Sequence, residues 1–361
     1  MAFDPDKPFN DLPLLPPKAE LETKAVLRKA IAANKALAEL KGAGELIPNQ
    51  GVLINAIVLQ EAKLSSEIEN VVTTNDELYR AFADAGQNTN LQTKEVLHYS
   101  EALWHGYELL KRKKRPLTTN LFIELFQIVK HTTDGIRKGG GTKLANPATK
   151  KIIYTPPEGE NILRDKLANL EKFIYEDDEL DPLIKLAVLH YQFEAIHPFS
   201  DGNGRTGRII NILYLLDRDL LDTPVLYLSR YIIENKDGYY RALRKVTETG
   251  GWEFWVLYML EGVEETARWT RGRVVAIKEL MNKTAEIVKK RTPKIYSKDL
   301  IEVIFNQPYS KIKFLEEMGI GNRQTASTYL RELEKIGVLR GVKKGREIYY
   351  LNGKFLNLLA K

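Results

Sequence analysis

Two apolar helical stretches meet at one short polar loop, and that junction limits what the chain can become. The run Leu183 to Ile196 follows Asp181-Pro182, an N-cap with proline at the first helical position. It is apolar on most sides, the pattern of a central, buried helix. It ends at His197, and a second apolar helix is expected from Arg205 to Leu216. Between and across them, the twelve residues from His197 to Arg208 offer one imidazole, one carboxylate, one carboxamide, two guanidiniums and three glycines. His197 can take or give a proton near neutral pH. Asp201 suits a hard cation such as Mg²⁺. Gly202 and Gly204 let the backbone turn sharply and approach an anion. A helix starting near Gly204 would aim free N–H groups at the loop, an anion site. Arg205 and Arg208 then share one side of its first turn, and their planar forks suit phosphate oxygens. An ordinary turn needs none of these groups together. From the residues alone, the loop is expected to hold a phosphate, a metal and a proton acceptor.

The stretch His197-Pro198-Phe199-Ser200-Asp201-Gly202-Asn203-Gly204-Arg205-Thr206-Gly207-Arg208 resembles the HxFx(D/E)GNGRxxR motif of the Fic (Fic/Doc) family at every fixed position. The resemblance extends from about residue 50 to residue 265. It implies a protein adenylyltransferase that moves AMP from ATP to a Tyr, Ser or Thr hydroxyl, with His197 as catalytic base. It further implies phosphate binding by Gly202, Asn203, Gly204, Arg205, Thr206, Gly207 and Arg208, and Mg²⁺ held by Asp201. Upstream, Ser65-Ser66-Glu67-Ile68-Glu69-Asn70 is similar to the family's (S/T)xxxE(G/N) inhibitory motif. The resemblance then pairs Glu69 with Arg208 and makes Ser65, Glu69 and Asn70 an off switch, on an inhibitory helix of about residues 64–72. Read without the family, Ser66 to Glu69 is a capping box that would start a short helix. The same glutamate could instead activate water, which would make the protein a de-AMPylase.

Lys151 to Thr155 is short and β-branched, bounded by Pro156-Pro157, and reads as a hairpin. In the family a hairpin flap stands here, so Ile152, Ile153 and Tyr154 are expected to align a target segment by strand addition. Tyr239 and Tyr240 fall where the family lines its adenine pocket, Tyr240 being the first choice. The family's later asparagine is replaced by Thr247. Gly202, Gly204 and Gly207 also fit GxGxxG, but here the pattern follows a helix, not a strand, so a dinucleotide fold is not expected.

Helices are expected from Ala19 to Lys41, after Pro48-Asn49, from Asn75 or Asp76 to Ala85, from Thr93 to Lys111, from Leu121 to His131, from Asn161 to Ile174, from Ser229 to Lys236 and from Trp252 to about Lys289. His98 and His105 lie two turns apart on one of these, a weak metal pattern better read as structural. After Arg291-Thr292-Pro293 come three short helices, Leu300–Phe305, Tyr309–Glu317 and Arg323–Ile336. A hairpin with the basic tip Lys343-Lys344-Gly345-Arg346 follows. This end resembles a winged helix-turn-helix. Residues 290–361 carry fifteen Lys/Arg against seven Asp/Glu, a balance of +8, so the rest of the chain stands near −2. A DNA contact through Arg323, Gln324 and Thr328 is therefore an alternative, as is a protein partner through residues 295–361.

The expected fold is mainly α. It comprises an N-terminal helical region (1–110), a Fic-type bundle with its flap (111–265), a linking helix (266–294) and a winged helix-turn-helix domain (295–361). The rival to the enzyme is a DNA-binding regulator with a nucleotide-sensing Fic domain; a homodimer stays open. With no cysteine, disulfides and thiolate metal sites are excluded, which fits a reducing compartment. Met1 to Pro17 reads as an irregular acidic arm without an apolar core of a signal peptide. No apolar run reaches the ~18 residues of a membrane span, so a cytoplasmic protein is expected.

Overall fold

The computed structural model describes residues 3–47, 49–85, 89–145, 149–176, 179–344 and 347–360. Its centre is the expected helix pair: α7 (Pro182–Ile196), buried along almost its whole length, and α8 (Asn203–Asp217) beside it. Asp181 caps α7, accepting from the Leu183 and Ile184 N–H groups at 2.8 and 3.3 Å. In chain order, the elements before the pair are α1 (Lys24–Gly44), α2 (Gln50–Ile68), α3 (Asn75–Ala83), α4 (Leu91–Lys111), α5 (Thr119–Lys130), β1 (Leu144–Ala145), β2 (Ile152–Tyr154) and α6 (Glu160–Tyr175). After it come α9 (Leu228–Glu234), α10 (Lys236–Thr249) and α11 (Trp252–Arg291). α4 and α5 pack on α8, α6 packs on α7, α2 packs on α4 and α9, and α11 runs along α1 and α7. The fold is mostly helical, as expected.

The last unit is α12 (Lys298–Asn306), β3 (Tyr309–Ser310), α13 (Ile312–Glu317), α14 (Arg323–Lys335), β4 (Arg340–Lys344), β5 (Glu347–Leu351) and α15 (Gly353–Ala360). Its strands form one antiparallel sheet in the order β3-β5-β4. The unit rests on α2 and α3. Asn49 and Asn55 bond Glu302 and Asn306 at 3.2 and 2.8 Å. Asp84 receives Lys311 Nζ at 2.5 Å and the Tyr349 hydroxyl at 2.8 Å, and Tyr309 donates to Asp76.

Several local expectations need correction. Ser66 to Glu69 does not open a helix, and there is no separate helix over 64–72. The stretch is the end of α2, with Glu69 as its C-cap. The helix then closes as a Schellman turn: Val71 N–H bonds Ser66 O and Asn70 N–H bonds Glu67 O, both at 3.0 Å, with Asn70 left-handed at φ 64°. The capping box sits one element later, where Thr74 and Glu77 start α3. Tyr309 to Glu317 splits into β3 and α13, because Tyr309 and Ser310 pair with Leu351 and Tyr350. α11 is unbroken through residue 265, so the expected boundary there falls inside a helix. Tyr239 and Tyr240 lie on a helix, α10, that the sequence reading did not separate, and α15 was not anticipated. Gly345 and Arg346 of the basic tip lie outside the described residues, as do the side chains of Leu53 and Ile54, expected on one face of the helix after Pro48-Asn49.

The described part of the N-terminal arm has no helix or strand, yet it is tied down. Phe9 N–H bonds Thr155 O at 3.0 Å, Lys166 and Gln192 donate to Leu12 O and Pro13 O at 2.7 and 2.9 Å, and Asn169 brackets Leu15. Phe3 stacks on Tyr154 of β2 at 5.9 Å.

Candidate functional site

α7 stops where His197 enters the left-handed region, φ 50°, with Pro198 behind it. Arg137 caps the exposed carbonyls there. Its Nε donates to His197 O at 2.8 Å, its Nη2 to Ile196 O at 3.4 Å and to Pro157 O, and its backbone N–H to Pro198 O at 2.9 Å. A cation at a helix C-terminus also suits the dipole. Phe199 is buried and stacks flat on Phe126, centroids 4.2 Å apart. Asn203 ties the loop shut: its Oδ1 accepts from Phe199 N–H and its Nδ2 donates to Phe199 O, both at 2.8 Å. The Asn203 side chain is thus spent on the loop, which leaves its backbone N–H for an anion. Gly202 starts α8 at φ 72°, and Thr206 bonds back to Gly202 O through N–H and hydroxyl, both at 3.0 Å.

The first turn of α8 is where the charges gather. Arg205 and Arg208 are each 2% exposed, and Glu69 bridges them. Its Oε2 takes Arg205 Nε at 2.7 Å and its Oε1 takes Arg208 Nη2 at 2.8 Å. Ser65 holds Arg208 from the same helix end, Oγ to Nε at 2.7 Å and O to Nη2 at 2.9 Å. Burial works against the Arg208 charge, but Glu69, joined by Tyr239, Glu194 and Tyr99, raises its pKa above the ordinary value. Gly204 leaves room for Glu69: an added Cβ would lie 2.6 Å from Glu69 Oε1. The expected pairing of Glu69 with Arg208 is therefore present in the geometry, and Arg205 shares it. Asn70 serves as the left-handed turn residue, its N–H bonding Glu67 O.

His197 is partly buried, and burial lowers its pKa to about 4, aided by nearby Arg137. A neutral imidazole at pH 7 is the form that can accept a proton. Burial opposes the Asp201 charge, yet Lys130, 2.6 Å away, holds its carboxyl below the ordinary value. Among the described residues no three His, Cys, Asp or Glu side chains gather as a metal cage. One half-exposed carboxylate fits a Mg²⁺ that arrives on a polyphosphate and keeps other ligands. His98 stacks on His131 and His105 faces Glu124, so the weak metal pattern is not assembled.

The hairpin pairs Leu144 with Tyr154 and Ala145 with Ile152. Tyr154 OH donates to Ala195 O at 2.7 Å, which pins β2 two residues before His197. Ile152 and Ile153 are half-buried. On α10, Tyr239 is buried with its hydroxyl 2.9 Å from His190 Nε2, while Tyr240 is 43% exposed and able to face a ligand. Thr247 turns to Tyr191 OH at 2.9 Å.

Four site residues escaped the sequence reading. Arg137 and Lys130 carry no local pattern. Glu95, which takes Arg205 Nη1 at 2.7 Å, is far away in sequence. Glu194 could have been found, being three residues before His197 and so on the same helical face.

Three family profiles match successive parts of the chain. A profile described as Fic/DOC family N-terminal matches residues 27–108, one described as Fic/DOC family matches 116–215, and one described as protein adenylyltransferase SoFic-like, C-terminal domain, matches 280–355. A probable protein adenylyltransferase of Aquifex aeolicus is 24% identical over 81% of this chain and 84% of its own length. The protein adenylyltransferase Fic of Nematostella vectensis is 30% identical over 33% of this chain, which spans 28% of that protein. A Fic family protein from Desulfovibrio desulfuricans shares the fold at a TM-score of 0.58 and 18% identity, over 92% of this chain and 97% of its own. A Fic domain protein from Bacteroides thetaiotaomicron gives 0.56 and 18%, over 69% and 97%.

Proposed function

From the premise that the chain carries the domains of the Fic/DOC family, we propose that it transfers AMP from ATP to a hydroxyl side chain of a target protein, and that Glu69 holds it inactive at rest. The observation that carries this reading is the carboxylate of Glu69 lying across both Arg205 and Arg208. Two buried guanidiniums beside a helix N-terminus make an anion site, and in the resting protein a carboxylate fills it. A triphosphate must displace Glu69 to use both forks. Until it does, the α-phosphorus is not presented to His197.

With Glu69 withdrawn, Arg205 and Arg208 would grip the β- and γ-phosphates, and the N–H groups of the first α8 turn the rest. A Mg²⁺ held by Asp201 would neutralise phosphate charge. His197 takes the hydroxyl proton as the target oxygen bonds the α-phosphorus and the bond to the β-phosphate oxygen breaks, releasing pyrophosphate. Arg137 keeps the imidazole in place by capping the turn that carries it. The β2 edge, pinned through Tyr154, would receive the target backbone. Positioning and charge carry most of the rate in such chemistry.

The test uses ATP labelled at the α-phosphate, with wild type, Glu69→Gly and Glu69→Gly/His197→Ala, alone and with cell lysate. Label on protein only with Glu69→Gly is the expected result. Equal labelling by all three would sink the reading.

A second reading concerns the C-terminal unit alone. Arg323, Gln324, Thr328 and Arg331 lie exposed on α14, and Lys343 and Lys344 lie exposed on β4, which favours a DNA duplex as the unit's partner. Duplex binding that weakens with salt and disappears with Arg323→Ala/Arg331→Ala is expected. Among the described residues no helix is long and apolar enough to cross a membrane.

A further inference from the structure

Glu194 is a carboxylate with no evident occupation. It sits on α7, one turn before His197. Its Oε1 is buried and has no hydrogen-bond partner. Buried polar groups are almost always paired, and an orphaned acceptor costs about 1–3 kcal/mol. Burial pushes its pKa up to about 7, with Arg208 opposing and Glu69 adding to the rise. Gly207 leaves the space it needs: a Cβ there would stand 2.7 Å from Oε1.

The position of Glu194 defines what could satisfy it. Gly207, which Oε1 faces, adjoins Arg208, and His190, one helical turn before Glu194 on α7, lies 2.9 Å from the Tyr239 hydroxyl; the Glu194 charge acts on Arg208, Tyr239 and Tyr240. It therefore stands near both the guanidinium that would grip phosphate and the pair of rings, one of them half-exposed, that would wall a base. The covalent order of a nucleotide puts its sugar between those two parts. A sugar offers hydroxyl donors, and a carboxylate is the acceptor that recognises them elsewhere in nucleotide sites.

We propose that Glu194 accepts a hydrogen bond from a ribose hydroxyl of the bound nucleotide, and so selects a ribonucleotide at this site. The assignment rests on the nucleotide-site reading above. It adds a specificity residue to the phosphate-binding set and gives the buried oxygen its partner. Gly207 then has a purpose distinct from that of Gly204: one leaves room for the sugar's acceptor, the other for Glu69.

The test measures Kd by calorimetry in full-length Glu69→Gly/His197→Ala, which binds without turnover. The ligands are ATP, 2′-deoxy-ATP, 3′-deoxy-ATP and the triphosphate of purine riboside, which lacks the base amine. In this parent, loss of one hydroxyl should weaken binding by about ten- to hundredfold, the span of a charged hydrogen bond. Adding Glu194→Ala should bring ATP down to the level of that deoxy analogue and leave the analogue itself unchanged. Glu194→Gln, which keeps the shape and one acceptor, should give an intermediate penalty. A structural role would weaken all four ligands alike. An unchanged hydroxyl penalty in the Glu194 variants, or a penalty that tracks the base amine, overturns the assignment while leaving the nucleotide site standing. No binding of any nucleotide to the parent overturns both.

Discussion

Replacing Glu69 by alanine should loosen the resting protein and make it answer to ATP. The bridge involves two guanidiniums at 2% exposure and a carboxylate at 24%. After its loss Arg205 keeps Glu95 at 2.7 Å, but Arg208 keeps only the Ser65 oxygens. One buried guanidinium is left without its direct ion-pair partner, with only the more distant Glu194 charge beside it, which sets the cost at about 3 kcal/mol, the lower end for a broken buried pair. Unfolding entropy is about 2.1 cal/mol/K per residue, or roughly 0.76 kcal/mol/K for this chain, so Tm should fall by about 4 °C. ATP with Mg²⁺ at a hundred times its Kd returns about 2.7 kcal/mol, close to the whole loss. Wild type, its arginines occupied, should gain under ~1 °C at the same nucleotide concentration. The assay is a pair of thermal melts for each protein, with and without nucleotide. A variant that melts with wild type, or equal nucleotide shifts in the two, would refute the idea that Glu69 and phosphate compete for the same guanidiniums.

The pH profile of label transfer by Glu69→Gly should stay flat from pH 8 to about 6, because a base whose pKa is lowered to about 4 remains unprotonated there; an acid limb at the ordinary imidazole value near 6.5 would contradict it. Gly207→Ala places a methyl 2.7 Å from Glu194 Oε1 and 3.0 Å from Phe193 Cδ1, so it should cost about 1–3 kcal/mol, seen as a lower melting temperature, and an unchanged melt would show that the helices part freely. Glu61, buried against Ser229, has its pKa raised from 4.5 to about 7, chiefly by burial. Its contribution is full below pH 4.5 and is lost as pH rises through 7, so Glu61→Gln should gain on wild type by about 3 kcal/mol between pH 4 and pH 8. Parallel melting curves for the two across that range would refute it.

The centre of this fold was legible because its signals are local. Asp181-Pro182 announces a helix start, the apolar run to Ile196 announces burial, and the dense polar loop announces a site. Arg205 and Arg208 could be placed on one face by spacing alone. Glu69 was reachable only through a resemblance, since nothing in its own surroundings points to residues 136 and 139 positions away. The misreading of Ser66 to Glu69 has a physical cause. A serine followed three residues later by glutamate looks alike at either end of a helix, and here Asn70, adopting φ 64°, decided for the end. Tyr309 was drawn into a strand by pairing with Leu351, a partner that no local pattern reveals. Arg137, Lys130 and Glu95 were missed for the same reason: each acts across the fold on a group far from it in sequence.

α2 can also be seen as a strut. Its 19 residues span about 28 Å at 1.5 Å per residue. One end is fastened to the C-terminal unit through Asn49 and Asn55, the other to Arg208 through Ser65 and Glu69. A straight helix hardly shortens or stretches along its axis. An axial push of about 1 Å at Glu302 and Asn306 must therefore emerge at the far tip, where bonds of 2.7–2.9 Å have no slack to take it up. Whatever grips the C-terminal unit holds the end of a rod whose other end rests on Arg208.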